Sequence, residues 1–263
     1  MSNTRGPVDL DLIRRLEEIS LNALPARQTV IDDGWVLRLT GGGTGRANAA
    51  YPLYPGSDDL GTRIDRVEAV YRAAGLAPMF KLTSASLPTV LDDTLERRGY
   101  TLRGSDTEVQ TADLETSPCA LWPTGVRVAV ETAVSDAWLT TFGATHSNWS
   151  SADMDLKRWM LEAIATPAAY LLLSDDAGPI GVGTAIVDGE WVGLFDIALI
   201  ERARGRGLGQ PLSAELLRWA YNRGARRAYL QVVIDNPPAL KTYAKLGFKG
   251  VYRYWYRRLI VDC

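Results

Sequence analysis

The chain has 263 residues, 46% hydrophobic and 23% charged, with a formal charge of −2. That size and balance suit a soluble globular chain of one or two domains and exclude a disordered one. A pI near 5.6 argues against nucleic-acid or anionic-membrane partners, which require a basic face to displace counterions.

The only cysteines are Cys119 and Cys263, and His146 is the single histidine. Neither a disulfide framework nor a metal site is indicated, and a reducing cytoplasm is the expected location. The opening MSNTRGPVDLDLIRRLEE has no apolar signal core and no long apolar span follows, so neither export by that route nor a membrane-spanning segment is expected.

Taken in chain order, residues 9–21 alternate acidic, basic and apolar side chains at helical spacing, with Asp9 as cap and Pro25 as stop, which predicts a surface helix. Thr29–Ile31 and Trp35–Leu39 flank Asp32-Asp33-Gly34 as a tight hairpin. A short strand is expected at 49–54, and a helix whose face is Ile64, Val67, Val70 and Tyr71 ends at Gly75.

Residues 112–124, with two prolines and no period, read as a linker. A strand at 126–130 leads into two helices between 135 and 164, broken near Ser147. Three antiparallel strands follow at 170–173, 180–187 and 191–199, the last two joined by a tight turn at Asp188-Gly189. The turn Asp175-Asp176-Ala177-Gly178 shows no evident chemistry. Trp149 and Trp159 are candidates for substrate contact, although aromatics at helical spacing are more often core.

The chemistry gathers between 191 and 248. The apolar strand Trp191–Ile200 breaks into Arg204-Gly205-Arg206-Gly207-Leu208-Gly209, and Leu208, Leu212, Leu216, Trp219 and Ala220 then form a helical face that stops at Gly224. A glycine-rich turn at a helix start leaves N–H groups unpaired at the positive end of the helix, which suits a phosphate. A P-loop needs Lys-Ser/Thr after its last glycine and finds Gln210-Pro211; a dinucleotide fingerprint needs glycine where Gln210 stands.

The remaining pattern, Arg/Gln-x-x-Gly-x-Gly/Ala, is filled by Arg204, Gly207 and Gly209 and resembles the pyrophosphate loop of the GNAT superfamily of acyl-CoA N-acetyltransferases. By itself the hexapeptide is explained equally well as a solvated glycine turn. Downstream, however, Asn236-x-x-Ala239-x-x-x-Tyr243-x-x-x-Gly247-Phe248 is similar to a second GNAT signature, in the family's order, and the resemblance covers 126–259.

The resemblance implies acetyl-CoA as cosubstrate, no metal, and transfer of its acetyl group to a primary amine of a small molecule or peptide by direct attack. The alternative is a regulatory protein that binds acetyl-CoA without turning it over. Ile197, Ala198 and Leu199 would hold the pantetheine arm; Arg204, Gly205, Arg206, Gly207, Leu208, Gly209 and Gln210 the pyrophosphate. Tyr243 would donate to the departing sulfur, and Asn236 would be both helix cap and coenzyme contact.

Where some relatives carry a glutamate base, this chain has Gln231. Asp196, the one acid in an apolar strand, is open to two roles: a partly desolvated base acting through water, or a structural or acceptor-gripping carboxylate. Glu190 is a weaker alternative, and His146 reads as a turn or pocket-rim residue.

A weak internal repeat completes the picture. A shift of 149 sets Gly75 on Gly224 and Met79–Leu82 on Ala228–Gln231, and a shift of 148 sets Gly99-Tyr100 on Gly247-Phe248. The expected fold is therefore α/β, two tandem GNAT-type domains, each a mixed, mostly antiparallel sheet flanked by helices. The boundaries are a degenerate domain at 1–111, a linker at 112–124 and a catalytic domain at 125–263. Pro55, Asp58 and Leu60 fall where Arg204, Gly207 and Gly209 stand, and Leu95 where Tyr243 stands, so the first copy is expected to bind no coenzyme.

Overall fold

The structure, a computed structural model, describes residues 9–146 and 148–260; Ser147 and Cys263 lie outside the described residues. Its contacts divide the chain into two units. The first holds the residues up to Leu21, Ala26–Asp106 and the chain from Tyr252 onward; the second holds Asn22–Pro25 and Thr107–Val251.

In the first unit, α1 (Leu10–Ala23) begins at Asp9, whose carboxylate accepts from the Leu12 amide at 2.9 Å. The expectation of a surface helix is corrected: Ile13, Leu16 and Ile19 are buried, and Glu17 on the same side is 1% exposed. Glu17 accepts from the Lys81 ammonium and from the Tyr252 hydroxyl, so its burial is compensated by partners. The dense flanking charges had concealed a narrow apolar stripe.

β1 (Gln28–Asp32) and β2 (Trp35–Leu39) form the expected hairpin, with Asp33 and Gly34 both at positive φ, 43° and 84°. β3 (Ala50–Tyr51), α2 (Leu60–Ala73), β4 (Met79–Thr83), α3 (Leu91–Arg97) and β5 (Tyr100–Leu102) follow. β3 is antiparallel to β2 and parallel to β4. Residues Tyr254–Arg258 return antiparallel to β4, and Arg257–Leu259 antiparallel to β5. Trp35, Phe80 and Tyr100 meet edge to face over Ile64, Val67 and Tyr71 of α2.

The second unit contains β6 (Thr107–Asp113), β7 (Arg127–Glu131), α4 (Asp136–Gly143), α5 (Ser151–Glu162), β8 (Ala168–Asp175), β9 (Gly178–Asp188), β10 (Trp191–Leu199), α6 (Gly209–Tyr221), β11 (Arg227–Val233) and α7 (Pro237–Lys245). β12 (Lys249–Leu259) starts in this unit and ends in the first. The sheet of the unit runs β6-β11-β10-β9-β8-β7, antiparallel except between β10 and β11. Each unit is thus mixed α/β with a mostly antiparallel sheet.

The contact division departs from the boundaries expected at 111 and 124. Residues Thr107–Asp113 pair one for one with Val233–Arg227 of β11, so they belong to the second unit's sheet. Thr-Glu-Val-Gln-Thr-Ala-Asp has too few apolar residues to announce a strand; pairing with a buried neighbour overrides its composition.

Candidate active site

The site of the second unit begins where two parallel strands part. β10 and β11 pair only from Trp191/Arg227 to Leu194/Leu230, although β10 continues to Leu199 and β11 to Val233. The pairing of β10 with β9 slips between Phe195 and Ala198, and Asp196 within that slip has a φ of 55°. Such a bulge bends one strand away from its neighbour. Beyond Asp196, Ile197, Ala198 and Leu199 are half-buried; Ala198 and Leu199 keep β9 as their strand partner, and the edge of β10 opposite β9 is unpaired here among the described residues.

A 3₁₀ turn, Glu201–Ala203, leads from β10 to the glycine loop, in which Gly205 and Gly207 both have positive φ, 73° and 74°. A Cβ at either would meet nothing within 4 Å. Ala203 and Leu208 anchor the loop in the core, and α6 starts from Leu208 with no side-chain cap. The first backbone amide of the segment to find a carbonyl is that of Leu212, which donates to Leu208. Between Gly205 and Gln210, no amide donates to a protein acceptor among the described residues. Six free N–H groups at the positive end of a helix, next to two glycines with open space around them, fit a pyrophosphate.

The arginines are distributed by a residue that sequence reading passed over. Asp175, at the turn between β8 and β9, accepts from Arg202 at 2.6 Å and from Arg206 at 3.3 Å. The Arg202 guanidinium foremost holds its carboxyl down at about 2. Arg204 turns back to donate from Nε to the Leu199 carbonyl at 3.2 Å.

α7 stands against the start of α6: a Cβ at Gly209 would lie 3.6 Å from Cγ2 of Thr242. Asn236 caps α7 by accepting from the Ala239 amide at 3.2 Å. Tyr243, half-buried, packs on the Phe248 ring and, like Ile197 and Leu199, against the buried core of the unit. Burial pushes its phenol up to about 12, and its hydroxyl has no hydrogen-bond partner among the described residues.

On the other side of β10 the solitary carboxylate expected at Asp196 is half of an ion pair. Lys157 of α5 donates to both of its oxygens, at 2.8 and 2.7 Å, and Thr184 Oγ1 lies 3.5 Å from Oδ2. The Lys157 ammonium also sits 4.9 Å from the Phe142 ring, which packs on His146 and Trp149. His146 thus belongs to an aromatic wall, with Nδ1 2.8 Å from the Thr145 hydroxyl. Glu190 lies at the far end of β10 from the loop and pairs with Arg227 at 3.5 Å. Gln231 is half-buried on β11, past its last pairing with β10.

A family model described as "Probable histone acetyltransferase Rv0428c C-terminal" matches residues 11–257. The chain belongs to this family of GNAT-type acetyltransferases. It is 28% identical to the uncharacterized N-acetyltransferase YobR of Bacillus subtilis over 94% of the chain and 99% of that protein. With the probable histone acetyltransferase Rv0428c of Mycobacterium tuberculosis it shares 27% over 87% of the chain and 68% of the relative.

A solved GCN5-related N-acetyltransferase from Kribbella flavida has the same fold as this GNAT-type chain, with a TM-score of 0.71, 17% identity and 95% and 96% coverage of the two chains. A tandem GNAT protein from the clavulanic acid biosynthesis pathway gives 0.65 at 16% identity, over 98% of the chain and 91% of that one. Among the described residues no helix is long and apolar enough to cross a membrane, and no His, Cys, Asp and Glu gather as a metal site.

Proposed function

We propose that the chain transfers the acetyl group of acetyl-CoA to a primary amine of a small molecule or peptide by direct attack, and that the second unit carries the reaction. The observation that carries this reading is the run of six unengaged amides at Gly205–Gln210, closing a strand whose free edge faces a wedge. A pyrophosphate at that run sets the pantetheine arm along Ile197–Leu199, where unpaired backbone groups receive it. The thioester supplies the acetyl group; the chain supplies placement.

Tyr243 keeps its proton throughout the neutral range, since its phenol is raised to about 12, and so has a hydrogen bond to offer a departing thiolate. The Asp196–Lys157 pair with Phe142, His146 and Trp149 bounds the acceptor side. Both oxygens of that carboxylate are engaged, as suits a positioning pair that pins the bulge rather than a base awaiting a proton. The first unit is assigned no coenzyme.

A panel of amines with acetyl-CoA, read first as free thiol and then by the mass of the acetylated product, tests the proposal. Acetyl-CoA binding without thiol release from any amine would replace it with the regulatory reading.

A further inference from the structure

Just before α2 in the first unit, the loop amides meet a carboxylate of the same chain. Asp33, at the tip of the β1–β2 hairpin, accepts from the amides of Ser57 at 2.9 Å and Asp58 at 3.1 Å and from the Ser57 hydroxyl at 3.1 Å. Behind it lies Arg63, 3% exposed, its guanidinium 4.0 Å from the Trp35 ring centroid. Arg63 Nη2 donates to the Asp33 carbonyl at 2.6 Å, while Nε is 3.1 Å from Asp33 Oδ2 and has no aligned hydrogen bond of its own. A buried cation aimed at converging amides is the equipment that holds an oxyanion.

Asp58 pairs with Arg66 at 2.8 Å, and Asp59 caps α2 by accepting from the Thr62 amide at 3.1 Å. The donors of this entrance are intact and in use. Gly56 fits the crowding, since a Cβ there would lie 2.2 Å from Asp33 Oδ2. In the second unit a hairpin aspartate also reaches the helix-entry loop, but Asp175 takes the arginines and leaves the amides free.

We propose that Asp33 is a built-in anion: its carboxylate occupies a phosphate-class site at the start of α2, and its removal opens that site to a small tetrahedral oxyanion. The closure of the first unit to a coenzyme rests on the acetyl-CoA reading above; the anion site itself does not. The Ser57 and Asp58 amides, with Arg63 behind them, hold the Asp33 carboxyl below the usual carboxylate range, as a bound anion requires.

The test uses the full chain carrying Asp33→Gly, a substitution that suits the φ of 43° and so keeps the turn. Inorganic phosphate is titrated while the amide resonances of Ser57 and Asp58 and the Tm are followed. Both resonances should shift saturably in the variant and not in wild type, and phosphate should restore Tm that chloride at equal ionic strength does not. Resonances that stay still in the variant, or move as far in wild type, overturn the proposal. Should Asp33→Gly not fold, Asp33→Asn tolerates the same φ and removes only the charge; a chain as stable as wild type then overturns it, and a lower Tm supports it. Acetyl-CoA turnover is measured on the same samples, so a failure of the acetyl-transfer reading would leave the Ser57 and Asp58 titration unaffected.

Discussion

The Lys157 ammonium donates to both oxygens of the Asp196 carboxylate, and the two side chains are only 9% and 16% exposed. A pair so placed couples α5 to the bulge in β10. Lys157→Met or Asp196→Asn alone leaves one charge buried without its partner, which should cost on the order of 3 kcal/mol. The double variant should cost less than the sum, by about 0.5–3 kcal/mol in denaturant titrations. Asparagine tolerates the positive φ at 196, so the charge is what changes. Turnover should fall alike in both single variants, with the acidic limb of the pH profile retained in Asp196→Asn. Loss of that limb in Asp196→Asn alone would make the carboxylate a base.

Tyr243→Phe keeps the ring packing and removes an oxygen that has no hydrogen-bond partner among the described residues. Turnover should drop by about ten- to a thousandfold, with acetyl-CoA affinity and Tm close to wild type. The phenol sets an alkaline signature too. In the unfolded chain it ionises near 10, in the folded chain near 12, so its share of stability is whole below pH 10 and declines as the pH rises toward 12. Tyr243→Phe should flatten that decline in a pH series of melts. Unchanged turnover would leave Tyr243 with packing alone.

Asp175→Asn should loosen the glycine loop by freeing Arg202 and Arg206. A few-fold rise in the Kd of acetyl-CoA at unchanged maximal rate is expected, as for exposed pairs in general. The carboxyl titrates at about 2 rather than 3.8. The contribution of the pairs to stability is therefore whole above about pH 4 and is lost as the pH falls through 2. Wild-type melts between pH 3 and 1 should show an acid sensitivity that Asp175→Asn lacks. Tighter coenzyme binding by the variant would show instead that Asp175 competes for the arginines.

Gly207 has a φ of 74° and open space about its Cβ position. A branched side chain there meets no protein atom, so the strain of the left-handed region, about 1–2 kcal/mol, should leave the domain folded. Gly207→Val should weaken acetyl-CoA binding strongly by calorimetry, with Gly207→Ala between. Full affinity in a folded Val variant would remove the loop from the site.

The parts of this molecule that a linear reading reached are those whose signals are local. The Asp33-Gly34 turn, the Asn236 cap and the break of Trp191–Ile200 into glycines are written in adjacent residues, and the structure has each where its residues imply. What escaped depends on partners far along the chain. Lys157 lies 39 residues from Asp196, on a helix whose inward face no single-chain pattern aims at β10. Asp175 looked like a plain turn residue because Arg202 and Arg206 come 27 and 31 residues later. β6 is a strand because β11 is beside it, not because its own residues demand one. The repeat registers the helix entrances of both units but says nothing of the carboxylate that fills one and spares the other.

One acetyl-CoA should bind per chain. In the second unit the amides from Gly205 to Gln210 await an acceptor, and α6 begins uncapped. In the first unit the amides of Ser57, Asp58 and Thr62 already donate to Asp33 and Asp59. A pyrophosphate arriving there would have to displace carboxylates that belong to the same fold and never diffuse away, while also facing their charge. Leu95, which aligns with Tyr243, has no proton to give. Calorimetric titration of the full chain should therefore give a stoichiometry near one, abolished by Gly207→Val and unchanged by substitutions at Leu60 or Leu95. Two sites per chain, or a single site that survives Gly207→Val, would place the coenzyme in the first unit and reverse the assignment.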